Sequence, residues 1–413
     1  MNVPFVDLKS LHRGLAVELQ QAWRQVEDEG QYILGPQVDA FEDEFARYCG
    51  ARYCVGVGNG LDALTLTLRA MGVVPGDEVI VPGTTYIATW LAVSHVGAIP
   101  VPVEPDPGTF NIDPARIEEA ITSRTSVILP VDLYGQLADR ESVLRISRRH
   151  WLKVLEDAAQ AHGARSGGVS AGAWADAAAF SFFPTKNLGC LGDGGAMVTN
   201  NQELADKVRL LRNYGSVRKY YNDILGFNSR LDPLQAAFLR VKLRQLDRWN
   251  AHRREVASAY EAGLADLPEL TLPSHTGGEG CHVWHLYVIH HPRRDALQLE
   301  LRAAGVETLI HYPVPPHLSE AYSPLGLAGR LPISERLAAE ALSLPIGPHM
   351  GPNQVAQVIS AVRRFCLGEP QRRSLPEGRS SHGVHMEEQQ HGSVDETTEP
   401  YRDHLRLTRA SGN

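Results

Sequence analysis

From Leu8 to Glu29 the apolar residues Leu11, Leu15, Leu19 and Trp23 recur every four positions, which predicts an amphipathic opening helix. Beyond Gly58 the rhythm changes. Short β-rich runs (Val79–Val81, Ile99–Val103, Val127–Val131, Val154–Leu155, Ala178–Phe182 and Ala196–Thr199) are separated by helix-like segments with caps and turn residues. Strands alternating with helices predict an α/β domain with a largely parallel sheet. A long helical stretch with an arginine-rich polar face follows from about Leu231 to Leu267, and the spacing of elements changes after it. This places a boundary near residue 250, with a large domain over 1–250 and a smaller α+β domain over 251–368. From Glu369 to Asn413 the chain is rich in Ser, Gly, Glu, His and Gln and poor in apolar residues, so burial cannot offset the entropy of ordering. A disordered tail is expected over 369–413.

Composition narrows the classes. A chain of 413 residues, 43% hydrophobic and 21% charged, is long enough for two globular domains. Its net charge of −8 is spread along the chain, with no basic stripe to neutralise a phosphate backbone, so no nucleic-acid partner is expected. Met1 to Ser10 lacks the pattern of a secretory leader, and no segment approaches the roughly 18 apolar residues of a membrane span. The expectation is a cytoplasmic protein with no membrane partner. The five cysteines, Cys49, Cys54, Cys190, Cys281 and Cys366, are scattered and never form a C-x-x-C pair, which predicts neither a disulfide framework nor a metal site.

Two glycine motifs look familiar and fail on context. Gly56-Val57-Gly58-Asn59-Gly60-Leu61 precedes a strongly helical run, so its amides could hold an anion. A dinucleotide site would need glycine at Leu61 and an acid closing the second strand, whereas Asp77 and Glu78 precede theirs. Gly168-Val169-Ser170-Ala171-Gly172 has the spacing of a hydrolase elbow, but the turn-like Ala164 to Gly167 stands where an apolar strand is required.

The segment from Val154 to Thr199 carries more chemistry. One apolar run ends in Glu156-Asp157-Ala158-Ala159-Gln160-Ala161-His162-Gly163, placing an acid at the edge of the sheet where α/β ligand sites lie. Another runs through Ser181-Phe182-Phe183-Pro184-Thr185 into Lys186, just ahead of the glycine-rich Gly189 to Gly195. A lysine there is partly desolvated, which lowers its pKa and makes it a usable amine nucleophile. A lone lysine on a glycine loop would be unremarked surface. Together, an anion-binding turn, a strand-end carboxylate and a loop lysine match the needs of pyridoxal 5'-phosphate: a phosphate site, a partner for the pyridine nitrogen and a Schiff-base amine. Tyr86 could stack on the ring.

The segments 81–94, 155–163, 180–199, 213–216, 228–232 and 311–313 resemble those of the DegT/DnrJ/EryC1/StrS sugar aminotransferases, within a similarity over about Pro4 to Cys366. The resemblance implies a type I aminotransferase fold, a homodimer and two active sites at the subunit interface. By matching position, Lys186 would be the cofactor-bearing lysine, Asp157 the partner of the pyridine nitrogen and Gln160 a neighbour of the phenolic oxygen. Ser181 and the backbone at Gly60 and Leu61 would hold the phosphate, with Asn228 reaching it from the other subunit. Phe183, Arg230, His311 and Tyr312 would face a nucleotide-linked keto sugar. Phe183 stands where many relatives carry tyrosine or histidine, and Leu61 where a hydroxyl residue is common.

The implied reaction has two halves: an amino donor, by resemblance L-glutamate, displaces Lys186 and leaves its amine on the cofactor, which then aminates the keto sugar. The regional similarity is closer to members acting on dTDP-linked 3-keto-6-deoxyhexoses than to those acting at carbon 4. A dehydratase would carry histidine in place of Lys186, and a non-catalytic regulator should show damage at the cofactor positions. Asp157, Ser181 and Lys186 are intact.

Overall fold

The computed structural model describes residues 2–368 apart from 276, 277 and 279. The chain opens with α1 (Leu8–Arg13), α2 (Ala16–Glu29) and α3 (Pro36–Cys49). It then runs through β1 (Tyr53–Val57), α4 (Gly60–Ala70), β2 (Glu78–Pro82), α5 (Ala88–His95), β3 (Ile99–Val103) and β4 (Thr125–Ile128). Next come α6 (Arg140–His150), β5 (Lys153–Asp157), a hairpin of β6 (Arg165–Ser166) and β7 (Val169–Ser170), β8 (Ala177–Ser181) and β9 (Gly195–Thr199). Helices α7 (Gln202–Arg212), α8 (Pro233–Leu243) and α9 (Leu246–Leu264) lead to β10 (Tyr287–His290), α10 (Arg294–Ala303), α11 (Pro332–Glu340), β11 (Ala341–Leu344) and α12 (Pro352–Cys366).

Seven strands form the main sheet in the order β1-β9-β8-β5-β4-β2-β3. Only β9 runs against its neighbours; the other pairings, β8 with β5, β5 with β4 and β2 with β4 and β3, are parallel. Strand periodicity assigns the two faces. Val79, Val81, Val127 and Leu155 join the layer of α4, α5 and α7, whereas Ile80, Ile128 and Val154 point to the opposite face with Val143 and Ile146 of α6. Both faces are thus covered, as a parallel sheet requires. Leu64, Leu66 and Leu68 of α4 are buried, each stabilising the layer by about 2 kcal/mol. The expected α/β class, built on a large and mainly parallel sheet, is the one found.

A second hydrophobic cluster gathers Val256, Tyr260, Tyr287, Leu297, Leu344 and Val358 around the antiparallel pair β10–β11. We keep the boundary near residue 250 as a proposal, since the described residues pack as one unit. The expected tail lies outside the described residues.

Two helical expectations are corrected. The opening helix is broken after Arg13: Gly14 caps α1, and glycine lowers helix propensity by about 1 kcal/mol. The buried stripe of α2 is Leu19, Ala22 and Val26, while Trp23 is half-exposed. The stretch predicted over Leu231–Leu267 is likewise two helices, α8 and α9, and one of its arginines, Arg253, is buried instead of solvated. Its guanidinium donates to the carbonyls of Trp284, His285 and Ile346, which ties α9 to the second cluster. The G-x-S-x-G segment falls in the two-residue hairpin β6–β7, far from an elbow geometry.

Candidate active site

Parallel strands end at one edge of the sheet, and β5 delivers Asp157 there. The carboxylate is buried. Its Oδ2 accepts from Thr89 Oγ1 at 2.9 Å and its Oδ1 from the Ala159 amide at 3.2 Å. Thr89 in turn pairs with Thr85 Oγ1 at 2.8 Å. Burial raises the Asp157 pKa above the usual carboxylate range, while the two hydrogen bonds and the nearby Lys186 cation oppose that rise.

Lys186 lies on the turn after β8, with its amide bonded to Phe183 O at 2.9 Å. Gly189 closes this turn at close quarters, since a Cβ there would stand 2.4 Å from Pro184 O. The lysine side chain is half-buried. Burial pushes its pKa down to about 8, against the pull of Asp157 in the other direction. An ammonium in water titrates near 10.4, so the neutral, nucleophilic form at pH 7 rises from below one in a thousand to about one in ten.

An anion cradle sits beside them. Asn59 caps α4, its Oδ1 accepting from Asp62 N at 2.8 Å, which leaves the Gly60 and Leu61 amides at the helix start without a partner among the described residues. Gly60 packs directly on Ser181 at the end of β8: a Cβ there would lie 2.6 Å from Ser181 Cβ. Glycine is therefore what lets two free amides and a hydroxyl converge. The Leu61 side chain packs against the core, so its contribution to the cradle is the backbone amide.

The other lobe reaches in through residues 311 and 312. Gln160 Nε2 donates to Tyr312 OH at 2.9 Å, and Gln160 Oε1 accepts from Tyr134 N at 2.6 Å. Tyr134 OH donates to His311 O at 2.5 Å. Tyr86 and Tyr312 have ring centroids 5.3 Å apart, with Tyr86 half-exposed and free to stack on a further ring. His311 Nδ1 pairs with Ser343 Oγ at 2.8 Å, and burial together with the Lys186 cation lowers its pKa to about 4, so the ring is neutral. Phe183 is half-exposed.

Asn228 and Arg230 stand apart. Arg230 donates to Asn228 Oδ1 at 2.5 Å and to Asn213 Oδ1 at 3.0 Å, and lies 5.3 Å from the Tyr214 ring. Neither bonds to Lys186, Asp157 or Gln160 within the chain. Their neighbour Ser229 does touch the cradle, accepting from Gly58 N at 3.0 Å and donating to Asp62 at 2.7 Å. Among the described residues no group of three metal-ligating side chains occurs, and no helix is long and apolar enough to cross a membrane.

The profile of the DegT/DnrJ/EryC1/StrS aminotransferase family matches residues 14–363. The chain belongs to this family. It is 54% identical to the erythromycin biosynthesis sensory transduction protein EryC1 of Saccharopolyspora erythraea, covering 88% of this chain and 99% of that one. It is 52% identical to a dTDP-3-amino-3,4,6-trideoxy-alpha-D-glucose transaminase of Streptomyces venezuelae, over 88% and 96% of the two chains. The crystal structure of S. venezuelae DesV in complex with a ketimine intermediate superposes with a TM-score of 0.86 at 52% identity, covering 88% of this chain and 98% of that one.

DegT/DnrJ/EryC1/StrS aminotransferases are pyridoxal-phosphate enzymes, and the residues present fit that cofactor. Free amides and a hydroxyl suit a phosphate, a buried carboxylate suits a ring nitrogen, and a lysine of lowered pKa suits the aldehyde. Sequence reading overlooked Thr85, Thr89 and Tyr134. The threonines lie four apart, Thr85 just before α5 and Thr89 in its first turn, and could have been noticed as a spaced hydroxyl pair. Tyr134 has a positive φ of 59° in a short turn and gave no periodic signal.

Proposed function

We propose that this aminotransferase transfers an amino group from an amino acid, L-glutamate in our reading, to carbon 3 of a dTDP-linked 3-keto-6-deoxyhexose, in deoxyaminosugar biosynthesis. The observation that carries the aminotransferase chemistry is the gathering of the half-buried Lys186, the buried Asp157 and the Gly60–Ser181 cradle at one sheet edge, with burial pushing the lysine pKa down to about 8. The 52% identity to a dTDP-3-amino-sugar transaminase supports the choice of sugar.

Gly60, Leu61 and Ser181 would hold the cofactor phosphate, Asp157 its ring nitrogen and Tyr86 its ring face, with Gln160 beside its phenolic oxygen. Bound there, pyridoxal phosphate supplies an electron sink for the carbon bearing the amine. Lys186 Nζ takes the proton from the donor carbon and returns one to the sugar carbon, a role open to it because an appreciable fraction is neutral near pH 7. Thr89 keeps the Asp157 carboxylate aimed by donating to Oδ2. Phe183, Arg230, His311 and Tyr312 would face the sugar nucleotide. Being neutral, His311 can accept or donate a hydrogen bond without adding a second cation near Lys186.

The active unit in this reading is a homodimer. Asn228 is exposed and, among the described residues, its side chain bonds to Arg230 and to none of the cofactor-site residues, so it would serve a phosphate by crossing to a second chain.

Carbon position is set by pose, because the carbonyl must approach the amine to about 3–3.5 Å. The test presents the enzyme, loaded with pyridoxamine phosphate, with dTDP-linked 3-keto and 4-keto 6-deoxyhexoses and follows the visible absorbance. Faster conversion of the 4-keto sugar would overturn the assignment of carbon 3.

A further inference from the structure

Asn187 follows Lys186 directly and is buried at 5% exposure. Its amide is fully engaged. Nδ2 donates to Asn250 Oδ1 at 2.8 Å and to Val283 O at 3.0 Å, while Oδ1 faces His285 Nδ1 at 3.1 Å. With both amide hydrogens committed to acceptors, Oδ1 must accept, so the proton of His285 sits on Nδ1. Burial and the surrounding cations hold that imidazole neutral.

Asn250, on α9 and 2% exposed, continues the chain of bonds. Its Nδ2 donates to His162 O at 2.8 Å. His162 ends the loop that begins at Asp157 and includes Gln160. The next residue, Gly163, has φ +88°, and a Cβ there would stand 2.8 Å from Asn250 Nδ2 and 2.4 Å from Tyr48 OH. Only glycine lets α9 bring its amide this near. The start of the acid loop is held without the pair, since Asp157 N bonds to Pro130 O at 2.9 Å and Ala158 N to Ala179 O at 2.9 Å. It is a fixed reference, and the lysine turn is tied to it.

We propose that the Asn187–Asn250 pair is a positioning device that sets Lys186 in register with the acid loop 157–163, so that the amine meets a cofactor held by Asp157, Gln160 and the α4 cradle. The assignment rests on Lys186 being the cofactor-bearing lysine. Two buried amides satisfying each other could be mere packing, and the two roles differ in one measurable respect. A positioning pair matters to the bond with Lys186, whereas loosened packing weakens every contact in the site. A displacement of about 1 Å at a reacting atom is enough for a large effect.

The experiment titrates cofactor-free wild type, Asn187→Ala, Asn250→Ala and the double variant with two ligands. Pyridoxal phosphate uses the pocket and bonds to Lys186; pyridoxamine phosphate uses the pocket alone. Expected is a rise of about tenfold or more in Kd for pyridoxal phosphate in each single variant, with less than about a twofold change for pyridoxamine phosphate. The double variant should lose less than the two single losses combined, because the Asn187–Asn250 bond is counted in both while the bonds to Val283, His285 and His162 are not shared. Equal losses for the two ligands, or no loss for either, would overturn the proposal. If Asn187→Ala does not fold, Asn250→Ala, which leaves the lysine turn intact, decides by the same comparison. A wild type showing no borohydride-sensitive absorbance with pyridoxal phosphate overturns the Lys186 reading and the device with it.

Discussion

At the scale of single residues, two lysines share a lowered pKa of about 8, Lys186 and Lys242. Only one is placed to react. Lys242, on α8 itself, is buried; its Nζ donates to Gly189 O at 2.6 Å and faces His12 Nε2 at 3.2 Å, and among the described residues it pairs with no acid. Lys186→Ala should therefore abolish transamination, read as less than about a thousandth of the wild-type kcat, while thermal unfolding stays cooperative. Retained turnover would contradict the role. The pH dependence follows from the same shift. Only the neutral amine attacks an aldehyde, so the rate at which cofactor-free protein couples to pyridoxal phosphate should rise with pH and level off above about 8. Asp157 holds the ammonium form in place, and Asp157→Asn should move that midpoint to lower pH while transamination falls by about a hundredfold or more. Stopped-flow absorbance across pH 6–10 reads the midpoint; an unmoved one would mean the two groups do not interact. The sequence made Lys186 and Asp157 legible because each sits at a strand end in a distinctive run. Thr89 and Asn187 were not, because a hydroxyl or an amide gains its meaning from a partner 68 or 63 residues away in the chain.

At the scale of elements, α11 shows how a lobe is held to the sheet. Glu104, just past β3, accepts from Ile333 N at 2.7 Å, Ser334 N at 2.9 Å and Ser334 Oγ at 2.7 Å, capping the start of α11 with a buried carboxylate. Leu337 and Ala338 of that helix line a small cavity with Thr84, Thr85, His311 and Tyr312. Glu104→Ala strands three donors, and a loss of about 2–4 kcal/mol is expected, seen as a clear drop in Tm. Glu104→Gln, which keeps one acceptor oxygen, should lose less. Equal stability in both variants would mean that the cap does not hold α11. Strands β2, β3, β5, β8 and β9 were readable within two residues because apolar runs bounded by turns have few other solutions. Helix faces were less so: a four-residue spacing put Trp23 on the inner face of α2, whereas three-dimensional packing selected Leu19, Ala22 and Val26. Strand β1 escaped notice because Tyr53–Val57 carries two glycine-tolerant, weakly apolar positions, Cys54 and Gly56, and it earns its place only by pairing with β9.

At the scale of the whole molecule, the candidate site lies where the sheet edge meets the loop at 311–312, and Asn228 is exposed in the single chain beside the partly buried Asn213 and Arg230. A shared site makes a sharp prediction. Mixed dimers of Lys186→Ala with Asn228→Ala, each poorly active alone, should recover up to about half the activity of one wild-type dimer, because one of the two sites then draws both intact residues from different chains. Absence of recovery in verified mixed dimers would contradict the crossing of Asn228. Much of this architecture was legible in the alternation of strands and helices. The meeting of lobes was not, since it depends on Arg253 and Glu104, charged residues that composition alone would place in water.

The central claim is that Lys186 carries the cofactor, and the most direct measurement is the position of a reduced covalent label. Protein incubated with pyridoxal phosphate, treated with borohydride, digested and sequenced by mass spectrometry should carry the pyridoxyl group on Lys186, with the visible absorbance lost on reduction. A label on Lys242 or on surface lysines, with Lys186 unmodified, would contradict the account.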